Sequence, residues 1–189
     1  MVGGRQDFAV DAGDLGRVFA QWRPHVVAHS YGVLGALLAI AERPGCVRSV
    51  TVIEPPLYFL APGDAEVARL EKLGDEVLTR GAEADPAMLR EFLGIAGAPA
   101  SGRLPMEVLR RTVGARLPGQ ARPDLAAIRA AGVPALVASG GHAGALERIC
   151  DRLAEELGAR RVVAVGAGHF VPAAPGFAEQ LAGFLASNE

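Results

Sequence analysis

Four short runs rich in small and branched aliphatic residues alternate along the chain with segments of helical periodicity. They are HVVAH (25–29), SVTVIE (49–54), ALVAS (135–139) and RVVAVG (161–166). The Val-rich runs lack the polar face of a half-exposed strand, which predicts strands covered on both sides in a parallel sheet. Helical spacing marks residues 8–20 through Phe8, Leu15, Val18 and Phe19. Residues 32–43 are apolar nearly all round, as in a buried helix, and Pro44-Gly45 ends them. Residues 145–157 carry the stripe Leu146, Ile149 and Leu153, with Glu147 and Asp151 read as solvated, and residues 175–186 close the chain with Phe177, Leu181, Phe184 and Leu185 inward. Strand and helix in alternation imply right-handed crossovers, so the expected class is α/β, a mostly parallel sheet with flanking helices.

A long interruption, residues 55–125, separates the second and third strand runs. Helix-like pieces at 64–80, 86–95 and 105–116 fill it, punctuated by Pro55-Pro56, Gly81, Pro86, Pro99, Pro105 and Pro118-Gly119. Leu70, Leu73, Val77, Met88, Leu89, Phe92 and Leu93 recur at helical intervals, which favours a helical cap insertion over a disordered linker. The expected organisation is a core of residues 1–54 and 126–189 with the cap at 55–125.

The 189 residues fit one domain with an insertion. Half of them are hydrophobic and the formal charge is only -2, which gives no electrostatic reason to expect nucleic acid or an anionic membrane surface as partner. No run approaches the roughly 20 apolar residues of a membrane span, and the first residues lack a signal-peptide profile. Cys46 and Cys150 are isolated, which suggests a reduced, cytoplasmic setting. His25, His29, His142 and His169 have no metal-ligand spacing, and G-x-G at 166–168 opens no helix, so neither a metal nor a dinucleotide cofactor is expected.

Ser30 sits between the strand run HVVAH and the apolar helix, in A-x-S-x-G. A nucleophile elbow needs that placement: a strained strand-to-helix turn that projects the hydroxyl, with small residues two positions before and after, here Ala28 and Gly32. The helix behind it would favour a developing oxyanion, with the Tyr31 N–H as first donor. The competing role for Ser30 is a plain helix cap. After the last strand run comes GAGHFVP, whose His169 lies on a Gly-flanked loop able to deliver a general base. Together, elbow and histidine favour catalysis over capping. His29 and Phe170 flank this place as candidate pocket residues, with structural roles equally open; Tyr31 shares that ambiguity. Arg103, Arg110, Arg111 and Arg116 read as a solvated face of the insertion.

AHSYG, the apolar helix after it, VTVIEPP, the helical middle, VPALVASGGH and GAGHF, in this order, resemble the α/β-hydrolase superfamily. The likeness covers nearly the whole chain and roughly the C-terminal three-fifths of a typical member. It implies Ser30 as nucleophile, His169 as base and residues 55–125 as the cap over a small-molecule pocket. Two departures matter. Where many members carry the acid, in a G-x-x-D context after the next-to-last strand, this chain has Ala143. Other branches place the acid just after the strand that follows the elbow helix, and Glu54 holds that position. Its alternative role is to set the turn into the insertion.

The second departure is at the start, where a member would have about four strands and a loop giving a second oxyanion donor. The elbow strand here begins at residue 25, and Gly3-Gly4 is a poor substitute for that loop. This suggests either a fragment, or a shortened relative that dimerises through the edge of the elbow strand or has lost activity. The expected activity is cofactor-free hydrolysis of small esters, lactones or related acyl compounds. Its rivals are a binding or scaffold protein on the same frame, and other chemistry on it, such as carbon–carbon bond hydrolysis or haloperoxidase-like reactions.

Overall fold

A computed structural model describes residues 7–96 and 113–189. In chain order the elements are α1 (Phe8–Trp22), β1 (His25–His29), α2 (Gly32–Glu42), β2 (Ser49–Ile53), α3 (Ala65–Arg80), α4 (Pro86–Ile95), α5 (Leu125–Ala130), β3 (Ala135–Ser139), α6 (Gly144–Leu157), β4 (Arg160–Val163) and α7 (Phe177–Ala186). The four strands form one parallel sheet in the order β1-β2-β3-β4. The α/β expectation holds, and α3 and α4 lie in the segment between β2 and β3. The expected helix at 105–116 falls largely outside the described residues.

Alternation along the strands sorts side chains into two layers. Val26, Ala28, Val50, Val52, Ala135 and Val137 face the larger core, where Leu34, Leu37 and Ile40 of α2 are fully buried beside Ile149 and Leu153 of α6. Burying each such aliphatic side chain is worth about 1.5–3 kcal/mol. Ile53, Leu136, Ala138 and Val162 face the other way, onto Phe177 and Phe184 of α7. β2 and β3 are buried at every position, as a doubly covered parallel sheet requires. Close packing of α1 on α2 depends on Gly35: a Cβ there would lie 2.9 Å from the Cβ of Asp11 and 3.2 Å from the Phe8 carbonyl oxygen.

β1 stands at the sheet edge, paired only with β2 among the described strands. Val27, on its α7-side face, is 47% exposed, and a groove of about 600 Å³ runs along it past Leu15, Phe19, His25 and His29. This placement corrects one expectation. Gly32, required to be small by crowding at an elbow, has no heavy atom within 4 Å of where its Cβ would stand, and it lines that groove. Nothing among the described residues packs on the far side of β1, so nothing crowds Gly32.

The fourth strand is also shorter than its sequence run. Pairing stops at Val163, a turn closes from Ala164 to Ala167, and Val165 is 86% exposed. No helix among the described residues is long and apolar enough to cross a membrane.

Candidate active site

The C-terminal ends of β1, β2 and β3 and the loop after β4 meet at one edge of the sheet, the edge where open α/β sheets bind ligands. Two adjacent strands leave that edge in the same unusual way. Ser30, just after β1, has φ 53°, and Glu54, just after β2, has φ 46°. Left-handed backbone at a residue with a side chain costs roughly 1–3 kcal/mol and persists only where the surroundings enforce it. Here the sheet ladder enforces it: the Ser30 N–H donates to the Ile53 carbonyl at 2.8 Å, and the Glu54 N–H to the Ala138 carbonyl at 3.1 Å. Each strand is held by its neighbour up to the residue that turns away. Behind Ser30 the chain enters α2 at once, with the Val33 N–H donating to the Ser30 carbonyl and the Leu34 N–H to that of Tyr31. Ser30 therefore stands at a sharp strand-to-helix corner, not in an ordinary capping turn: no side chain caps α2.

Glu54 is 1% exposed. A buried carboxylate needs donors, and it has them on both oxygens. Oε2 accepts from His169 Nδ1 at 2.7 Å, and Oε1 accepts from the Gly140 N–H at 2.7 Å. The bond from Nδ1 orients the His169 ring and leaves Nε2 as the nitrogen able to take up a proton. Ala143, at the position where an acid was sought after β3, caps α6 with no side-chain bond. The β3 loop contributes only backbone to this contact, and Gly140 is what allows it. A Cβ at Gly140 would fall 1.9 Å from the carbonyl oxygen of Gly168, one residue before His169.

His29 has a different task from lining a pocket alone. Its Nε2–H donates to the backbone carbonyl of His169 at 2.9 Å, and the two ring centroids lie 4.5 Å apart with their planes tilted by 42°. The ring beside Ser30 thus clasps the loop that carries His169. Burial holds His29 below the ordinary histidine range, and the neighbouring His169 adds to the effect. Phe170 is 55% exposed and lies edge-on to His169 at 6.1 Å, open to a ligand. Tyr31 packs on Phe8 at 6.0 Å, and its hydroxyl donates to the Arg116 carbonyl at 2.7 Å. Burial pushes its hydroxyl up to about 12, which keeps it protonated and structural. Arg116 is not simply solvated: it approaches Asp7 at 3.5 Å and lies over the Phe8 ring at 5.2 Å. Arg103, Arg110 and Arg111 lie outside the described residues.

Glu147 also departs from its expected solvated role. It accepts from Ser139 Oγ at 2.7 Å and from the Gly141 N–H at 2.9 Å, and pairs with Arg161 at 2.6 Å. It pins the loop after β3 from α6. Asp151 is 60% exposed, as expected, though Arg161 holds it at 2.8 Å. Among the described residues no group of histidine, cysteine and carboxylate side chains could hold a metal ion.

No protein-family model matches the chain, and no curated protein matches it in sequence. Solved structures do match in shape. One is a carboxylesterase of the ammonia-oxidizing thaumarchaeon Nitrososphaera gargenis, with TM-score 0.62 and 18% identity, over 98% of this chain and 74% of that one. Another is a membrane phospholipase A described as a bacterial virulence factor, with TM-score 0.63 and 19% identity, over 97% of this chain and 64% of that one. A third is NosK from Streptomyces actuosus, with TM-score 0.57 and 25% identity, over 96% of this chain and 77% of that one. The fold is that of the α/β-hydrolase superfamily. Other structures of the same shape are described as a lipase, a thioesterase domain, MenH and a non-heme bromoperoxidase, so the likeness defines the fold and not the reaction.

Proposed function

We propose that the protein hydrolyses small esters, lactones or related acyl compounds through a serine acyl-enzyme. The observation that carries this reading is the 2.7 Å bond from His169 Nδ1 to Glu54 Oε2, beside a serine held at left-handed φ on the adjoining strand end. Nucleophile, base and acid then come from β1, the loop after β4 and the end of β2.

In the first step Ser30 Oγ attacks the substrate carbonyl carbon while His169 Nε2 takes the hydroxyl proton. Glu54 faces the imidazolium that results and stabilises it without taking its proton. The oxyanion forms at the start of α2, where the Tyr31 N–H and the positive end of the helix dipole favour negative charge. Collapse of the tetrahedral intermediate breaks the bond to the alcohol oxygen, which leaves with the proton from His169. Water, deprotonated by the same nitrogen, then releases the acid and restores Ser30. The segment between β2 and β3 shapes the pocket and so selects the acyl group.

A fluorophosphonate probe on the full chain tests this directly. Mass spectrometry should place the adduct on Ser30, and Ser30→Ala should abolish both labelling and hydrolysis of p-nitrophenyl acetate while keeping the fold. Labelling elsewhere, or turnover that survives Ser30→Ala, would overturn the assignment. A folded chain that neither labels nor turns over would leave the scaffold reading in its place.

A further inference from the structure

The carboxylate of Glu54 faces a second imidazole. His142, on the loop after β3, places Nδ1 3.5 Å from Glu54 Oε1, while its Nε2 lies 2.8 Å from the backbone carbonyl oxygen of Ile95, the last residue of α4. A carbonyl oxygen can only accept, so Nε2 carries a hydrogen. In the neutral ring Nδ1 would then turn a lone pair toward a carboxylate. Only the doubly protonated ring offers a hydrogen to both neighbours. His142 therefore cannot serve as an alternative base for Ser30, because the nitrogen such a base would use is committed to Ile95. It is placed instead to connect the helical segment to the proposed acid.

We propose that His142 is a positioning residue, a strut between Ile95 and Glu54 that couples the seating of α4 to the orientation of the acid behind His169. The proposal rests on the hydrolase reading for the role it gives Glu54. The groups that face His142 agree with it. Glu54 approaches from the end of β2, and His169 shares the same carboxylate from the loop after β4. The Ile95 carbonyl comes from α4, and Glu147 on α6 fixes the adjoining Gly141 N–H. One carboxylate thus holds one imidazole for proton transfer and another for anchorage. A charge on one ring is felt by the other, because both sit on the two oxygens of a single buried group.

Nitrogen-15 NMR of histidine-labelled full chain tests the strut without any need for turnover. His142 Nε2 should remain protonated throughout a pH titration, and protonation of His142 Nδ1 should move the His169 ring signals in step. In Glu54→Gln that coupling should vanish. A His142 ring protonated on Nδ1 alone, or His169 signals indifferent to His142 in the unaltered chain, would overturn the proposal whether or not the protein is a hydrolase. In a chain that labels with fluorophosphonate, His142→Gln should slow labelling of Ser30 about tenfold, within the range for groups in one hydrogen-bonded network. Unchanged labelling by a folded His142→Gln protein would equally overturn it. Failure of the unaltered chain to label would count against the hydrolase reading and leave the NMR result to decide on His142.

Discussion

His169 and Glu54 meet at 2.7 Å across 115 residues of sequence, and the Gly140 N–H fills the other oxygen of the same carboxylate at 2.7 Å. Two donors, one from a side chain and one from the main chain, thereby fix a buried acid in one orientation. Three loops are locked to one another through a single group.

Glu54→Gln should reduce hydrolysis by about 10⁴-fold, the loss expected when the acid behind a histidine base becomes an amide. An amide has only one oxygen to offer, and two donors converge on this position. The surviving arrangement either leaves the Gly140 N–H facing an amide NH₂ or presents that NH₂ to His169, which then holds its hydrogen on Nε2, the wrong nitrogen for a base. Steady-state kinetics with a p-nitrophenyl ester measure this. A loss below tenfold would remove Glu54 from the proposed machinery.

Glu147→Gln should show the opposite balance, with stability falling by about 1–3 kcal/mol, the cost of leaving donors unsatisfied, and turnover falling little. Its carboxylate serves Ser139, Gly141 and Arg161, none of which touches Ser30 or His169. Urea unfolding and ester kinetics on the same protein separate the two effects.

Two glycine substitutions should diverge. Gly140→Ala drives a methyl group into the Gly168 carbonyl, so either the β3 loop or the His169 loop must move. It should cost about 1–3 kcal/mol, as overpacking does, and most of the activity. Gly32→Ala meets nothing within 4 Å and enters the first turn of a helix, where it should be neutral or stabilising by up to about 1 kcal/mol. Thermal melting of the two variants checks both signs. Destabilisation by Gly32→Ala would mean that something outside the described residues packs there.

Much of this site is written in the sequence because local chemistry specifies it. A serine between a Val-rich run and an apolar helix points to a strand-to-helix corner over a plain cap once His169 is read with it, and Glu54 alone ends a core strand with a carboxylate. Other parts depend on the fold. The clasp of His29 on the His169 carbonyl joins residues 140 positions apart, and no periodicity announces a backbone acceptor. Glu147 falls off the apolar stripe of α6, which suggests solvent, yet the first turn of that helix overhangs the end of β3, where Ser139 and Gly141 lie, with Arg161 on the adjoining β4. The six-residue α5 lies between Pro123 and Pro134 and is too short to show a helical period, so only tertiary contact reveals it.

Acid should weaken the fold through His29. Burial holds this ring below its ordinary 6.5, with the charge of His169 as the second cause. The unfolded chain therefore binds a proton at a pH where the folded chain does not. That stability is present above about pH 6.5 and is lost as the pH falls below it. Melting temperatures between pH 8 and 5 should drop more steeply for the unaltered chain than for His29→Gln, which retains a donor for the His169 carbonyl. Parallel slopes would show that His29 titrates alike in both states.

The paired left-handed exits of β1 and β2 have a consequence for how such a chain can change over time. Because Ser30 and Glu54 leave neighbouring strands one residue beyond a shared ladder, their separation is set by the interstrand spacing of a sheet, about 4.8 Å. It does not depend on how any loop is folded. The segment between β2 and β3 begins just past Glu54 and can be exchanged, lengthened or redesigned without altering that spacing. Grafting this segment from another protein of the same fold is thus a way to change what surrounds an unmoved pair. Such a graft would have to rebuild the segment's contacts to the core, among them the Ile95 carbonyl that receives His142 and the Arg116 carbonyl that receives the Tyr31 hydroxyl.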